Sequence, residues 1–161
     1  MPAHANIGTG RSWLGLAGWL ALVFCASATA VFIADNGWYA GLAKPAWNPP
    51  GWIFGPVWTV LYAMMAVAAW RVWRHGGWAR QKKALGLFLL QWLLNALWTP
   101  LFFGLHRPGW ALAKILILLI AILATIRAFW RVDRPAGQLL LPYAAWVGFA
   151  TVLNWTIWRL N

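Results

Sequence analysis

Amide and indole side chains at helical spacing are the residues of this sequence whose types could hold a ligand. Gln91, Asn95 and Trp98 stand at positions i, i+4 and i+7, so a helix would place all three on one face. Asn95 lies near the middle of a long apolar segment, where an unpaired amide is costly. It can hydrogen-bond to a neighbouring helix, or it can offer a donor and an acceptor to a ligand in a cavity. Asn95 taken alone favours the first interpretation.

Two further segments place aromatic residues near small or polar ones. Trp58 and Tyr62 are at i and i+4, and Trp146 and Ala150 share the same spacing, with Asn154 beside them. A bulky indole above a small alanine and an amide leaves a notch. Large and small residues also alternate in any well-packed bundle, so the pattern is consistent with a cavity or with ordinary packing.

Side chains for acid–base, nucleophilic or metal chemistry are scarce. The acids are Asp35 and Asp133, there is no Glu, and Cys25 is the single cysteine. The three histidines are far apart, so no group has the spacing of metal ligands. No carboxylate pair and no pairing of a nucleophile with a base lies within the apolar segments. We expect no conventional enzyme activity, no metal, no required cofactor, and neither a proton-coupled pump nor an ion channel.

The composition is that of a membrane protein. The chain of 161 residues is 63% hydrophobic and 9% charged, and it contains 16 tryptophans, which favour membrane interfaces. The net charge of +11 would suit nucleic acid, but the basic residues lie between long apolar runs, where they fix topology or meet anionic lipid head groups. We therefore expect membrane lipid as a partner and no nucleic acid.

Five apolar segments are long enough to cross a bilayer as helices. They predict an all-α membrane protein, a single domain over residues 1–161 that forms a bundle of five transmembrane helices. The predicted helices are 13–34, 53–74, 84–105, 110–130 and 138–159. Pro100 should kink or loosen the third helix near its end, whereas Pro142 is tolerable in a first turn.

The first apolar segment has a second interpretation, as a signal peptide with Ala26, Ser27 and Ala28 at its cleavage site. We favour a retained helix because the apolar run continues to Ile33. The basic residues then set the orientation. One side of the predicted bundle carries nine Lys and Arg and the other carries four, which places the N-terminus in the cytoplasm of a bacterial cell membrane.

The loop of residues 35–52 is rich in Trp, Pro and Gly. Prolines stiffen such a loop and indoles give it something to pack with. It is suited to act as a lid over a cavity, and it is equally suited to rest at the lipid head groups.

The sequence resembles the TspO/MBR family in four strings that follow one another in the family's order. They are WYAGLAKPAWNPPGWIFGPVWTVLY (38–62), QWLLNALWTPLFFG (91–104), GWAL (109–112) and LPYAAWVGFATVLNWTIWRLN (141–161). Together they cover about half of the chain. The first and the last are long enough to be specific, whereas residues 1–12 and 71–83 carry no such signature.

The resemblance implies a five-helix bundle, often a homodimer, with a ligand pocket beneath the loop that follows the first helix. By position, the ligand-binding residues would be Trp47, Trp52, Trp58, Tyr62, Asn95, Trp98, Trp110, Trp146 and Ala150. The family's ligands are porphyrin or haem, sterols and drug-like aromatic compounds. The family's sterol motif is altered here, because Trp155 stands between Leu153 and Arg159 where a tyrosine is expected.

Three functions are compatible with this resemblance. The leading one is a binding protein for tetrapyrroles that acts as a sensor or regulator of their level. The second is light-dependent oxidative degradation of protoporphyrin, for which the resemblance points to Trp58 and Trp146. The third is transport of porphyrin or sterol across the membrane, which a bundle this small would carry out only with a dimer surface or a partner.

Overall fold

The computed structural model describes residues 9–31 and 37–161. Within these ranges the chain forms α-helices and no β-strand. The helices are α1 (Thr9–Cys25), α2 (Ala28–Val31), α3 (Trp38–Gly41), α4 (Phe54–Trp73), α5 (Gly77–Thr99), α6 (Pro108–Val132), α7 (Arg134–Leu139) and α8 (Leu141–Leu160). A 3-10 turn, Gly51–Ile53, precedes α4, and a π-helical turn, Pro100–Gly104, follows α5. The predicted all-α class is confirmed for the described residues.

Four helical segments are long and apolar enough to span a membrane: Gly51–Trp73, Gly77–Gly104, Pro108–Val132 and Arg134–Leu160. They match the second to fifth predicted helices. The N-terminal apolar helix, Arg11–Cys25, is shorter. It ends well before the predicted end at residue 34, and residues 32–34 lie outside the described part of the chain. The count of five spans therefore stays a prediction.

The predicted starts of two helices differ from the observed ones. Helix α5 begins at Gly77 rather than at residue 84, because its basic first turns continue into the apolar segment across a kink at Gln81. The last span begins at Arg134 and is interrupted at Leu140, between α7 and α8. Pro142 sits in the first turn of α8 as predicted.

Pro100 changes the helix type at the end of α5. The amide of Leu105 donates to the carbonyl of Pro100 at 3.0 Å, which is the i→i+5 bond of a π turn. The predicted loosening near this proline is therefore confirmed. The rings of Phe102 and Phe103 in this turn both contact the indole of Trp98, with centroids 5.1 Å and 6.1 Å away.

The N-terminal helix packs on α4 and α5 through indoles and one glycine. A Cβ at Gly15 would collide with the ring of Trp73, so only glycine allows this approach of α1 to α4. The indole N–H of Trp70 donates to the carbonyl of Ser12 at 2.7 Å, and that of Trp92 donates to the carbonyl of Val23 at 3.3 Å. These bonds join α1 to both neighbours.

A bidentate ion pair holds the ends of α4 and α6 together. The guanidinium of Arg71 donates from Nε to Oδ2 of Asp133 at 2.6 Å and from Nη2 to Oδ1 at 3.2 Å. The carboxylate is 9% exposed, and Arg71 is the only salt-bridge partner that the described residues give it. The C-terminal ends of α4 and α6 therefore lie at the same end of the bundle.

Two asparagines, one in α8 and one directly after it, position the other end. Nδ2 of Asn154 donates to the carbonyl of Pro108 at 2.8 Å, which joins α8 to the start of α6. Asn161 accepts from the amide of Ala43 and donates to its carbonyl, both at 3.0 Å. This pair of bonds fixes the loop between α3 and α4 against the C-terminus.

Candidate functional site

A cavity of about 550 Å³ lies among the end of α1, α3, the start of α4, the end of α5 and α8. This volume is within the usual range for small-molecule sites. Its lining is mostly apolar and aromatic, and among the residues that the structure describes no Asp, Glu, His, Lys or Arg contributes to it. Such a lining favours a large apolar ligand.

Six of the nine residues expected to bind a ligand line this cavity. Trp58 and Tyr62 come from α4, Asn95 and Trp98 from α5, and Trp146 and Ala150 from α8. All six lie within helices. Gln91, which was predicted on the same face as Asn95 and Trp98, is buried but is not among the lining residues. Whether they bind a ligand stays a prediction.

Trp47, Trp52 and Trp110 are not among the lining residues. Trp52 is 74% exposed in the 3-10 turn and Trp110 is 69% exposed in the first turn of α6. The Trp47 ring packs edge-on against Phe149, 5.9 Å between centroids, and remains 48% exposed. The loop contributes Tyr39 and Gly51 to the lining instead.

The altered sterol motif does not form one surface. Leu153 is buried and lines the cavity. Trp155 and Arg159 are exposed, and the guanidinium lies over the indole, 5.6 Å from its centroid. The motif therefore divides between the inside of the bundle and its outer face.

Asn95 makes the interhelical hydrogen bond that the sequence allowed and also lies at the cavity. Its Nδ2 donates to the hydroxyl of Tyr62 at 3.1 Å, which links α5 to α4. The same amide lines the cavity. Because Tyr62 also contacts Trp58, with ring centroids 5.2 Å apart, this bond fixes one aromatic wall.

Two buried polar atoms of cavity-lining residues have no partner in the described part of the chain. They are the indole N–H donor of Trp98 and the Oδ1 acceptor of Asn154. A buried polar group without a partner costs about 1–3 kcal/mol. Both atoms are buried within the cavity wall rather than open to the cavity.

Stacked rings hold the walls in position. Trp98 stacks on Phe102 with centroids 5.1 Å apart, and Trp146 lies 5.5 Å from Phe149 and 5.9 Å from Phe54. Phe54, Phe102 and Tyr39 line the cavity but were not among the residues expected to do so. All three lie within the sequence strings that carry the family resemblance, so those strings could have pointed to them.

The loop between α3 and α4 is held by polar contacts of its own. The hydroxyl of Tyr39 donates to Oδ1 of Asn48 at 3.1 Å, and Nζ of Lys44 donates to the carbonyl of Tyr39 at 2.6 Å. Burial raises the pKa of the Tyr39 phenol, and the hydrogen bond to Asn48 offsets part of that rise. The loop is thus ordered beside the cavity, as a lid would have to be.

Metal chemistry has no evident site here. The described residues contain no group of three or more His, Cys, Asp and Glu that could hold an ion. Asp35 and His4 lie outside the described residues.

Comparisons with known proteins agree on one family. The sequence model of the TspO/MBR family matches residues 9–159. The chain is 45% identical to the human translocator protein (Homo sapiens) over 126 residues, 77% of this chain and 75% of that protein. It is 39% identical to the tryptophan-rich sensory protein of Cereibacter sphaeroides over 149 residues, 92% of each chain, and 40% identical to protein CrtK of Rhodobacter capsulatus over 141 residues, 85% and 86%. The chain therefore belongs to the TspO/MBR family of membrane proteins.

Proposed function

We propose that this protein binds a porphyrin or haem-type tetrapyrrole in the cavity and acts as a sensor or regulator of tetrapyrrole level. The observation that carries the proposal is the lining itself: three indoles, Trp58, Trp98 and Trp146, around about 550 Å³ of mostly apolar space. A flat tetrapyrrole offers large apolar faces to such plates. The name of the relative in Cereibacter sphaeroides, a sensory protein, supports the regulatory role.

The buried polar atoms of Trp98 and Asn154 add no requirement on the ligand, because both lie within the wall and not on the cavity surface. Sterols and drug-like aromatic compounds are further ligands that the apolar lining admits, but the divided motif of Leu153, Trp155 and Arg159 does not favour a sterol.

Quenching of tryptophan fluorescence by protoporphyrin in detergent micelles tests the proposal. We expect saturable quenching by the wild type and about tenfold weaker binding for Trp146→Ala, because an aromatic contact is worth about 0.5–1.5 kcal/mol beyond its area. Asn95→Ala should also weaken binding, since Asn95 fixes Tyr62. Trp155→Ala is the matched control on α8, because its indole is exposed outside the cavity. Equal affinity for Trp146→Ala and Trp155→Ala would contradict the assignment.

Light-dependent oxidative degradation of protoporphyrin is a second candidate. The observation that favours it is that Trp58 and Trp146, the two indoles implied by the resemblance, both line the cavity. Light would excite the bound porphyrin and dioxygen would be the oxidant, so the lack of an acid–base pair is no obstacle. Trp58→Phe and Trp146→Phe should then abolish light-dependent bleaching beyond that of free porphyrin in micelles. Bleaching by the wild type at the micelle rate would refute this activity.

The membrane arrangement is proposed with the function. We infer that the N-terminal apolar helix is a fifth span, that the N-terminus is cytoplasmic in a bacterial cell membrane, and that the chain forms a homodimer. The four long apolar helices and the bacterial relatives support an integral membrane protein. Transport, suggested by the name of the human relative, would need that dimer or another partner.

A further inference from the structure

An open groove on the outer face of α6 lies apart from the central cavity. The groove has a volume of about 390 Å³, and its lining residues are Leu123, Ile126, Arg127, Trp130 and Arg131. None of these residues lines the cavity proposed to hold a tetrapyrrole. The groove is apolar toward the middle of α6 and basic toward its C-terminal end.

The two arginines of the groove have no acidic partner among the described residues. Asp133, the one acid in that part of the chain, is paired with Arg71. Arg127 and Arg131 are exposed and one helical turn apart, so their guanidinium groups can serve the same anion. Guanidinium groups bind phosphate oxygens in a bidentate manner.

Trp130 is held in place between the arginines. Its ring rests on Gly137 of α7, where an added Cβ would lie only 2.7 Å from Cε3 of the indole. The indole is 39% exposed, which suits the boundary between hydrocarbon and head groups. The contact with Gly137 gives the groove a fixed wall rather than a mobile side chain.

The groove lies at the basic end of the bundle. The ion pair of Arg71 with Asp133 brings the ends of α4 and α6 together. Further basic residues, Arg80, Lys82 and Lys83, follow on the first turns of α5. A positive potential at this end attracts anionic lipids, and basic pockets beside transmembrane helices bind their head groups.

We propose that this groove binds an anionic glycerophospholipid, with the phosphate at Arg127 and Arg131 and an acyl chain along Leu123 and Ile126. Trp130 lies at the level of the two arginines, beside the phosphate. The apolar part of the groove selects a lipid rather than a free phosphate, because a phosphate alone would leave Leu123 and Ile126 uncovered. The charge selects an anionic lipid over a zwitterionic one.

Native mass spectrometry of the full chain in a neutral detergent tests the proposal. The protein is offered an equimolar mixture of dioleoylphosphatidylglycerol and dioleoylphosphatidylcholine, which differ only in the head group. We expect several-fold preferential retention of phosphatidylglycerol. Arg127→Gln with Arg131→Gln should abolish that preference, because each basic residue near a membrane surface contributes about fivefold toward an anionic head group.

Lys82→Gln with Lys83→Gln is the matched control, because both lysines are exposed at the same end but lie outside the groove. It removes the same charge and should leave most of the preference intact. An equal loss in both double variants, or no loss in the arginine variant, would overturn the groove as a site. Displacement of the lipid by an equal concentration of glycerophosphoglycerol, which has no acyl chains, would overturn the role of Leu123 and Ile126.

Discussion

Removing a hydroxyl from Tyr62 and from Tyr143 should have opposite effects on stability. Both tyrosines are buried, on α4 and α8 respectively. The hydroxyl of Tyr62 accepts a hydrogen bond of 3.1 Å from Nδ2 of Asn95. The hydroxyl of Tyr143 has no partner among the described residues. The same substitution, Tyr→Phe, therefore removes a bond at one site and an unsatisfied polar atom at the other.

The magnitudes follow from these environments. Tyr62→Phe removes the bond and leaves the Asn95 donor unpaired, so the free energy of unfolding should fall by about 1 kcal/mol, within the range for hydrogen bonds between transmembrane helices. Tyr143→Phe removes a desolvated hydroxyl and leaves the ring contact with Trp58 in place. The free energy of unfolding should rise by up to about 1 kcal/mol.

Equilibrium unfolding in mixed micelles with increasing dodecyl sulfate, followed by circular dichroism, measures both changes. A double variant of Tyr62→Phe with Asn95→Ala should cost less than the sum of the single changes, because both remove the same bond. If Tyr143→Phe lost as much stability as Tyr62→Phe, the hydroxyl of Tyr143 would also have a hydrogen-bond partner, and the reasoning would be refuted.

Three further predictions concern packing, pH and topology. Gly15→Leu should lower the free energy of unfolding by about 1–3 kcal/mol, because the new side chain would collide with the ring of Trp73. Gly18→Leu is the control, since a Cβ at Gly18 meets nothing within 4 Å. Unfolding in dodecyl sulfate measures both variants, and equal losses of stability would contradict the packing of α1 on α4. The pKa of the Tyr39 phenol is raised in the folded chain, so the unfolded chain loses this proton at a lower pH than the folded chain does. The free energy of unfolding should therefore decrease as the pH rises above about 10. Tyr39→Phe should reduce this pH dependence in thermal unfolding, and an unchanged pH profile would refute the role of Tyr39. Alkaline phosphatase fused after residue 161 should be active in a bacterial host if five spans place the C-terminus outside, and an inactive fusion would support an even number of spans.

The helical part of the site could be predicted from the sequence, because spacing along a helix fixes which residues share a face. Trp58 with Tyr62, Asn95 with Trp98, and Trp146 with Ala150 each line the cavity from one helix. Trp52 and Trp110 were expected there and are exposed instead. They lie in a 3-10 turn and a first helical turn, where no period determines the direction of a ring.

Helix boundaries were predicted less well, for physical reasons. Charge-free windows find the part of a helix that lies in lipid, so the basic first turns of α5 fell outside the prediction. Near the end of α1 at Cys25, the Trp92 indole donates to the carbonyl of Val23. Such contacts join residues far apart in sequence, and no local pattern reports them.

Filling the cavity with a bulky side chain should prevent a tetrapyrrole from binding there. Ala150 lines the cavity on α8, and Val152 lies two residues further along and is exposed. Ala150→Trp should fill the cavity, whereas Val152→Trp should extend outward. Protoporphyrin absorbance after gel filtration of the loaded protein gives the amount bound per chain. We expect equal loading of the wild type and Val152→Trp and loss of loading in Ala150→Trp. Full loading of Ala150→Trp would contradict binding of the tetrapyrrole in this cavity.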